Sequence, residues 1–351
     1  MIKIYQYVSN PVCAPYRLEY PGKLLNQRQH IKVTQFAKFD AQTYHSVVNQ
    51  ADILIVQRLP MSSGARKMFT HLNKLGKLII FEIDDDLMHL DPNSYFAKQA
   101  PPDYGIRIKN SILASQAVQC STLTLADEIS KFHPEVTVLE NQLERVPAFV
   151  DKRFNNRPTI IGYAAGEHHW LDWKTIQDAY NQVISELESS GYHLETWIIG
   201  DKTIFESINS KNKKFFPLLS RQRYLALLKL MDISIMPLAD NEFNRCKSDV
   251  KFLESAAASA VVLASKVVYS NPIKHKQTGL LFSNGNEFKQ YLKELVFNPE
   301  LINILANNAH KYVSKHRLLQ QHIKKWETIY RNWYRKREQL LKKTPGLDKK
   351  Q

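Results

Sequence analysis

Short β-branched and apolar runs alternate with amphipathic stretches from the start of the chain. The runs Ile2–Val8, Ile31–Phe36, Ile53–Gln57, Leu78–Ile83 and Val136–Leu139 predict strands. Between them, Ser63–Leu75, Ile106–Gln116 and Thr124–Phe132 repeat apolar residues at helical spacing, the last behind Ser121, Thr122 and Thr124 as start signals. The rhythm breaks over Pro147–Pro158, where Asp151, Lys152, Arg153, Asn155, Asn156 and Arg157 form a polar stretch. A second series follows, with strands expected at Thr159–Ala164, Leu194–Gly200, Ile233–Pro237, Ala260–Ala264 and Gly279–Phe282. Its helices are expected at Thr175–Glu188, Gln222–Leu230, Val250–Ala258, Glu287–Phe297 and Glu300–His316, while Lys211, Lys213 and Lys214 read as an exposed loop.

Strand and helix in alternation make βαβ units and a parallel sheet. The expectation is therefore an α/β protein of two tandem Rossmann-like, doubly wound domains, residues 1–150 and 157–316, with an interdomain cleft. Ligands in such folds bind outside the C-terminal ends of the strands, which makes the cleft the prime site. Beyond His316 a helix over about Leu319–Leu341 would carry Ile323, Trp326, Ile329, Tyr330 and Trp333 on one stripe.

Composition narrows the function classes. The 351 residues are 44% hydrophobic, enough for one or two cores, and of the net charge of +14 a full +10 falls in residues 311–351. Cys13, Cys120 and Cys246 stand far apart with no CxxC, so neither a disulfide framework nor a zinc ribbon is expected, and a reducing compartment follows. The N-terminus lacks the apolar core of a signal peptide, and Ala256–Ala264, the longest small or apolar stretch, is shorter than the roughly 20 residues of a membrane span. A cytoplasmic location is expected. No GxGxxG, Walker loop, HExxH or GxSxG occurs, which disfavours nicotinamide enzymes, P-loop ATPases and the common hydrolases.

The most informative stretch is Asn244–Ser265. Ser248 or Asp249 can cap a helix that turns Leu253, Ala256 and Ala257 inward before a buried strand. Helix N-termini usually recruit acidic neighbours, yet Lys247 and Lys251 bracket this one. Two ammonium groups and free backbone N–H groups suit an external anion such as a diphosphate. The alternative is a pair of surface lysines, one neutralised by Asp249.

Ala239–Ala257 resembles the nucleotide-sugar-binding segment of GT-B glycosyltransferases, specifically the family 4-like group of polysaccharide clusters. Pro15-Tyr16-Arg17, Ala51–Arg58 and Gly76–Leu87 are similar to that group's first loop and next two strand ends. Ile161–Gly166 with His169 and Asp172 looks like its second-domain opening, and Tyr224–Leu238 and Thr278–Phe282 match further elements. The likeness covers most of residues 1–330 and implies sugar transfer from a nucleoside diphosphate donor in the second domain to an acceptor in the first. A glycan or a lipid-linked saccharide is the implied acceptor. Glu254 matches the second of two glutamates spaced eight apart, the one that grips the donor ribose; position 246, the first, is Cys. The resemblance thus places Glu254 on the donor side and Tyr16, Arg17 and Arg58 on the acceptor side, while Lys247, Ser248 and Lys251 are the donor-diphosphate candidates on physical grounds and His169 a further donor-side candidate. It implies a retaining mechanism and no metal or other cofactor, lysines and helix-end N–H groups taking the metal's place.

Asp84, Asp85 and Asp86 end an apolar strand, where adjacent carboxylates are costly unless solvated, paired or metal-bound. Three readings stand. Asp84 and Asp86 can form a metal-chelating DxD; Asp84 can replace the cleft histidine of GT-B relatives as the catalytic base or hydroxyl-orienting group; or the acids cap the next segment and pair with Arg58. His169 follows the second domain's first strand as a candidate phosphate contact, Asp172 can cap a helix starting at Trp173, and Trp170 and Trp173 read as packing residues. In GT-B enzymes the final helix crosses back to the first domain, the role expected of residues 317–351. Its basic residues Lys324, Lys325, Arg331, Arg335, Lys336, Arg337, Lys342 and Lys343 either dock an anionic membrane surface or form a solvated face. The rival classes are a nucleic-acid binder, suggested by aromatic and basic alternation over 326–337, and a catalytically inactive GT-B-like protein, suggested by Cys246. No nucleic-acid partner is expected.

Overall fold

The computed structural model describes residues 1–92, 94–152, 157–166 and 169–342. Twelve strands occur among them: β1 (Ile2–Tyr7), β2 (Ile31–Phe36), β3 (Ile53–Gln57), β4 (Leu78–Ile83), β5 (Ala117–Cys120), β6 (Val136–Val138), β7 (Thr159–Ala165), β8 (Leu194–Gly200), β9 (Lys213–Phe216), β10 (Ile233–Met236), β11 (Val261–Ser265) and β12 (Leu280–Phe282). They form two parallel six-stranded sheets, ordered β2-β1-β3-β4-β5-β6 and β12-β11-β10-β7-β8-β9. Every residue of β3, β4 and β11 is buried, as expected of strands covered by helices on both faces.

In each sheet the strand order reverses beside its first strand, between β1 and β3 and between β7 and β10. A doubly wound sheet opens a crevice at such a reversal, outside the carboxyl ends of the strands. The loops after β1 and β3 carry Tyr16 and Arg58; those after β7 and β10 carry His169 and Asn244. Gly200 closes the end of β8 at φ +103, and a Cβ there would lie 2.3 Å from the Ala165 carbonyl oxygen, so this edge of the crevice tolerates only glycine.

One face of the first sheet packs against helices that supply Val47, Phe69, Ile108 and Leu125. The other face holds Ile4, Val33, Ile55, Leu78 and Ala117 and is covered by Leu18, Leu25 and the helix Leu319–Arg335. From that helix Leu319, Ile323, Trp326, Tyr330 and Trp333 are all buried in the same cluster. Tyr330 donates to Gln119 at 2.8 Å and Trp333 to Glu135 at 2.9 Å. These rings are therefore core, and the alternation over 326–337 is no base-stacking platform.

Several expected elements differ. The stretch expected to be helical as far as Gln116 ends its helix at Leu113, and β5 follows, unforeseen because Gln119 interrupts a strand of only four residues. Lys213 and Lys214 lie in the edge strand β9 and not in a loop; Lys214 pairs with Glu195 at 2.6 Å and Lys213 donates to the carbonyls of Phe205 and Ile208. The long C-terminal helix breaks at Lys336 into Leu319–Arg335 and Arg337–Lys342. Arg153, Asn155 and Asn156 of the polar stretch, and Lys343 of the basic tail, lie outside the described residues.

Candidate functional site

The first turn of helix Val250–Ala257 lies where the two crevices meet. Neither Ser248 nor Asp249 caps it through a side chain, contrary to expectation. Both are engaged elsewhere: the Ser248 hydroxyl accepts from Asn141 Nδ2 of the first half at 2.8 Å, and Asp249 binds Arg317, just past the second domain's last helix, in a two-nitrogen pair at 2.5 and 3.1 Å. Arg317 also donates to Gln142 and to the Asn141 carbonyl, so one guanidinium ties the helix entry to both chain crossings. The first-turn N–H groups are left without a side-chain cap.

Around that turn the structure gathers His169, Asp172, Lys247 and Lys251. Asp172 does not cap a helix at Trp173; it sits inside Trp170–Lys174 as a buried junction. Its carboxylate meets His169 Nδ1 at 2.6 Å, Ala239 N at 2.8 Å and Asn244 Nδ2 at 2.7 Å, joining the loops after β7 and β10. His169 Nε2 lies 3.2 Å from Lys251 Nζ, which also donates to the Ala164 carbonyl at 3.0 Å. Lys247 Nζ stands 3.8 Å from Asp172. Burial and the neighbouring Lys247 pull the Lys251 ammonium down to about 8, so this group gains from an added anion.

Glu254, one turn along the same helix, is buried and fully engaged. It accepts from Tyr16 OH, from Arg221 Nη1 at 2.9 Å and from Tyr224 OH at 3.0 Å. Burial beside this carboxylate raises both phenols well above their ordinary range. Tyr16, Lys247, Lys251, His169 and Glu254 thus converge. Arg221, Tyr20 and Tyr224 join them with no local sequence signal.

Arg17 does not face the cleft. Its side chain is fully buried, with Nε 2.6 Å from Glu82 and Nη1 bonded to the Leu139 carbonyl and to Asn141. It joins the sheet to the chain crossing and cannot reach an acceptor in this arrangement. Arg58, at φ 46, adopts the left-handed region, which costs a non-glycine residue about 1–2 kcal/mol. Its guanidinium holds both Asp84 and Asp85, the latter at 2.7 Å. Asp86 turns the other way, accepting from Met88 N at 3.2 Å and meeting His89 Nδ1 at 2.8 Å. The pairing reading of these acids thus describes their contacts, and no group of three or more His, Cys, Asp or Glu among the described residues is arranged to hold a metal ion.

Tyr16 and Cys246 each cross over between the domains. Tyr16 packs with Met236, Leu238 and Phe252 of the second. Cys246 is buried in the first domain's cluster with Val118 and Cys120, and Thr122 Oγ1 donates to its carbonyl at 2.9 Å. Burial pushes its thiol up to about 12. Next to Arg58, Leu59 begins a cavity of about 620 Å³ lined by Tyr7, Phe39, Tyr44, Met68 and His71.

No family model matches the chain. Glycosyltransferase 1 domain-containing protein 1 of Xenopus tropicalis is 35% identical over 81 residues, 23% of this chain and 24% of that protein, so the chain matches about a quarter of the relative's length. Among solved structures, Anabaena HepE in complex with UDP superposes with a TM-score of 0.61 at 13% identity, covering 95% of this chain and 100% of that one. Sucrose-phosphate synthase from Thermosynechococcus elongatus gives a TM-score of 0.66 at 8% identity over 95% of this chain and 99% of the other. TarM gives 0.60 at 13% identity over 79% and 54%. With two parallel six-stranded sheets whose crevices face each other, and with these neighbours, the chain has the GT-B fold.

Proposed function

We propose that this protein is a glycosyltransferase that moves a sugar from a UDP-sugar to a glycan or lipid-linked saccharide. The observation that carries the reading is the placement of Lys247, Lys251 and His169 around an uncapped helix entry, with Glu254 one turn further, at the β7/β10 reversal. UDP is present in the HepE complex, a neighbour in fold. Lysines and N–H groups at the diphosphate would act most strongly as charge builds on the leaving group, which lowers the barrier more than it tightens the ground state. Retention of anomeric configuration is proposed on the family 4 resemblance. The 620 Å³ cavity beside Arg58 supports an acceptor on the first domain, since aromatic faces with hydroxyl edges suit a saccharide.

Asp84 is assigned the acceptor side of the chemistry, aimed by Arg58. Asp84→Asn should leave UDP affinity unchanged and lower transfer at least about tenfold, with or without chelator. Activity abolished by chelator and restored by Mn²⁺ would replace this role with metal binding by Asp84 and Asp86.

No helix among the described residues is long and apolar enough to cross a membrane. Lys324, Lys325, Arg335, Lys336 and Lys342 are exposed on the outer face of the C-terminal helices. Each basic residue near an anionic leaflet contributes about 1 kcal/mol, which supports reversible docking beside a lipid-linked acceptor. Co-sedimentation with anionic liposomes should fade with salt and drop when Arg335, Lys336, Arg337, Lys342 and Lys343 become Gln. Equal recovery with neutral liposomes would remove the docking role.

A further inference from the structure

Both oxygens of Glu254 accept hydrogen bonds from side chains, and Oε1 accepts two. Oε1 receives Tyr16 OH and Arg221 Nη1, and Oε2 receives Tyr224 OH. Arg221 is itself clamped: Nη2 donates to the Tyr16 oxygen, Nε to Tyr20 OH at 3.2 Å, and its guanidinium carbon lies 4.5 Å from the centre of the Tyr16 ring. Tyr16 and Tyr20 belong to the first domain; Arg221, Tyr224 and Glu254 belong to the second. The clamp therefore spans the cleft. A vicinal diol that donates to both oxygens can use the remaining lone pair of Oε2 but needs one on Oε1, where Tyr16 and Arg221 hold both, and Glu254 is only 6% exposed.

We propose that Tyr16 and Arg221 are gating residues of the donor site: they hold Glu254 from across the cleft, and the ribose hydroxyl enters by replacing the Tyr16 hydroxyl. This rests on the reading of Glu254 as the ribose carboxylate. The exchange is one O–H···O⁻ bond for another, so no charge or proton is transferred. Its cost is the withdrawal of Tyr16 from Glu254 and Arg221. Only the released fraction of the protein accepts donor, so the apparent affinity is the intrinsic one scaled down by that fraction. Tyr20 stabilises the clamp through Arg221, whereas Tyr224, from the same domain as Glu254, does not bridge the cleft.

Tyr16→Phe keeps the ring in its pocket beside Met236 and Phe252 while deleting the hydroxyl that bridges to Glu254. Calorimetry and stopped-flow with UDP as the probe should show this variant binding about tenfold tighter than the unaltered protein, the gain lying in the association rate. A hydroxyl of merely structural role would not raise that rate. Glu254→Ala, measured alongside, separates the two layers of the argument. If Glu254→Ala weakens UDP binding but Tyr16→Phe binds no tighter and no faster, the gate is overturned and the ribose reading stands. If Glu254→Ala binds UDP as tightly as Tyr16→Phe, in which the clamp on Glu254 is equally open, the ribose reading falls and the gate with it.

Discussion

Arg17→Ala is expected to destabilise the protein by about 3–5 kcal/mol, the cost of leaving one member of a buried ion pair without its partner. Both side chains of the Arg17–Glu82 pair are 0% exposed. Burial already drives the Glu82 carboxyl upward, and the adjacent guanidinium is what opposes that shift. Removing it also strips the Leu139 carbonyl and Asn141 of their donor at the point where the chain leaves the first domain. Urea unfolding followed at the first domain's tryptophans, Trp326 and Trp333, is the measurement. Arg17→Met combined with Glu82→Met should recover much of the loss, because two apolar side chains leave no unpaired charge. A loss below about 1 kcal/mol for Arg17→Ala would mean that water reaches the pair.

The second large effect is on donor binding. Glu254→Ala should bind UDP about ten- to hundredfold more weakly than Tyr16→Phe, in which the same clamp is open but the carboxylate remains, since a hydrogen bond to a charged group is worth about 1.5–3 kcal/mol. Arg221 and the phenols of Tyr16 and Tyr224 also lose their shared acceptor, so a folding check by urea must accompany the calorimetry. Affinity equal to that of Tyr16→Phe in a folded variant would move the ribose away from this helix.

The two architectures and the residues they bring together were differently legible. β3 and β4 are legible because a strand covered on both faces is an unbroken apolar run. β5 and β9 are not, because polar side chains interrupt them, Gln119 bonding Tyr330 and Lys214 bonding Glu195. Lys251 and Glu254 are legible together because one helix carries them, with Lys247 just ahead of its start, and such spacing is a local property. Tyr16 and Arg17 are adjacent yet have opposite roles, since the turn Pro15–Glu19 sends one into the second domain and the other beneath the first sheet. Arg221 was invisible: its partner Tyr16 is 205 positions away, and the function of the contact exists only once the halves meet.

The helix Leu319–Arg335 also bears on how the molecule is made. The first sheet is complete in sequence at Val138, but one of its faces, covered early only by the segment that carries Leu18 and Leu25, stays partly open until a helix made nearly two hundred residues later completes the cover over Ile4, Leu78 and Ala117. At about 5–20 residues per second on the ribosome, that interval is roughly 10–40 s. The second domain, whose strands all lie between, can settle first. The nascent first domain must therefore wait with an oily face partly open, a period in which chaperones have their substrate and in which truncation before Leu319 would become permanent exposure.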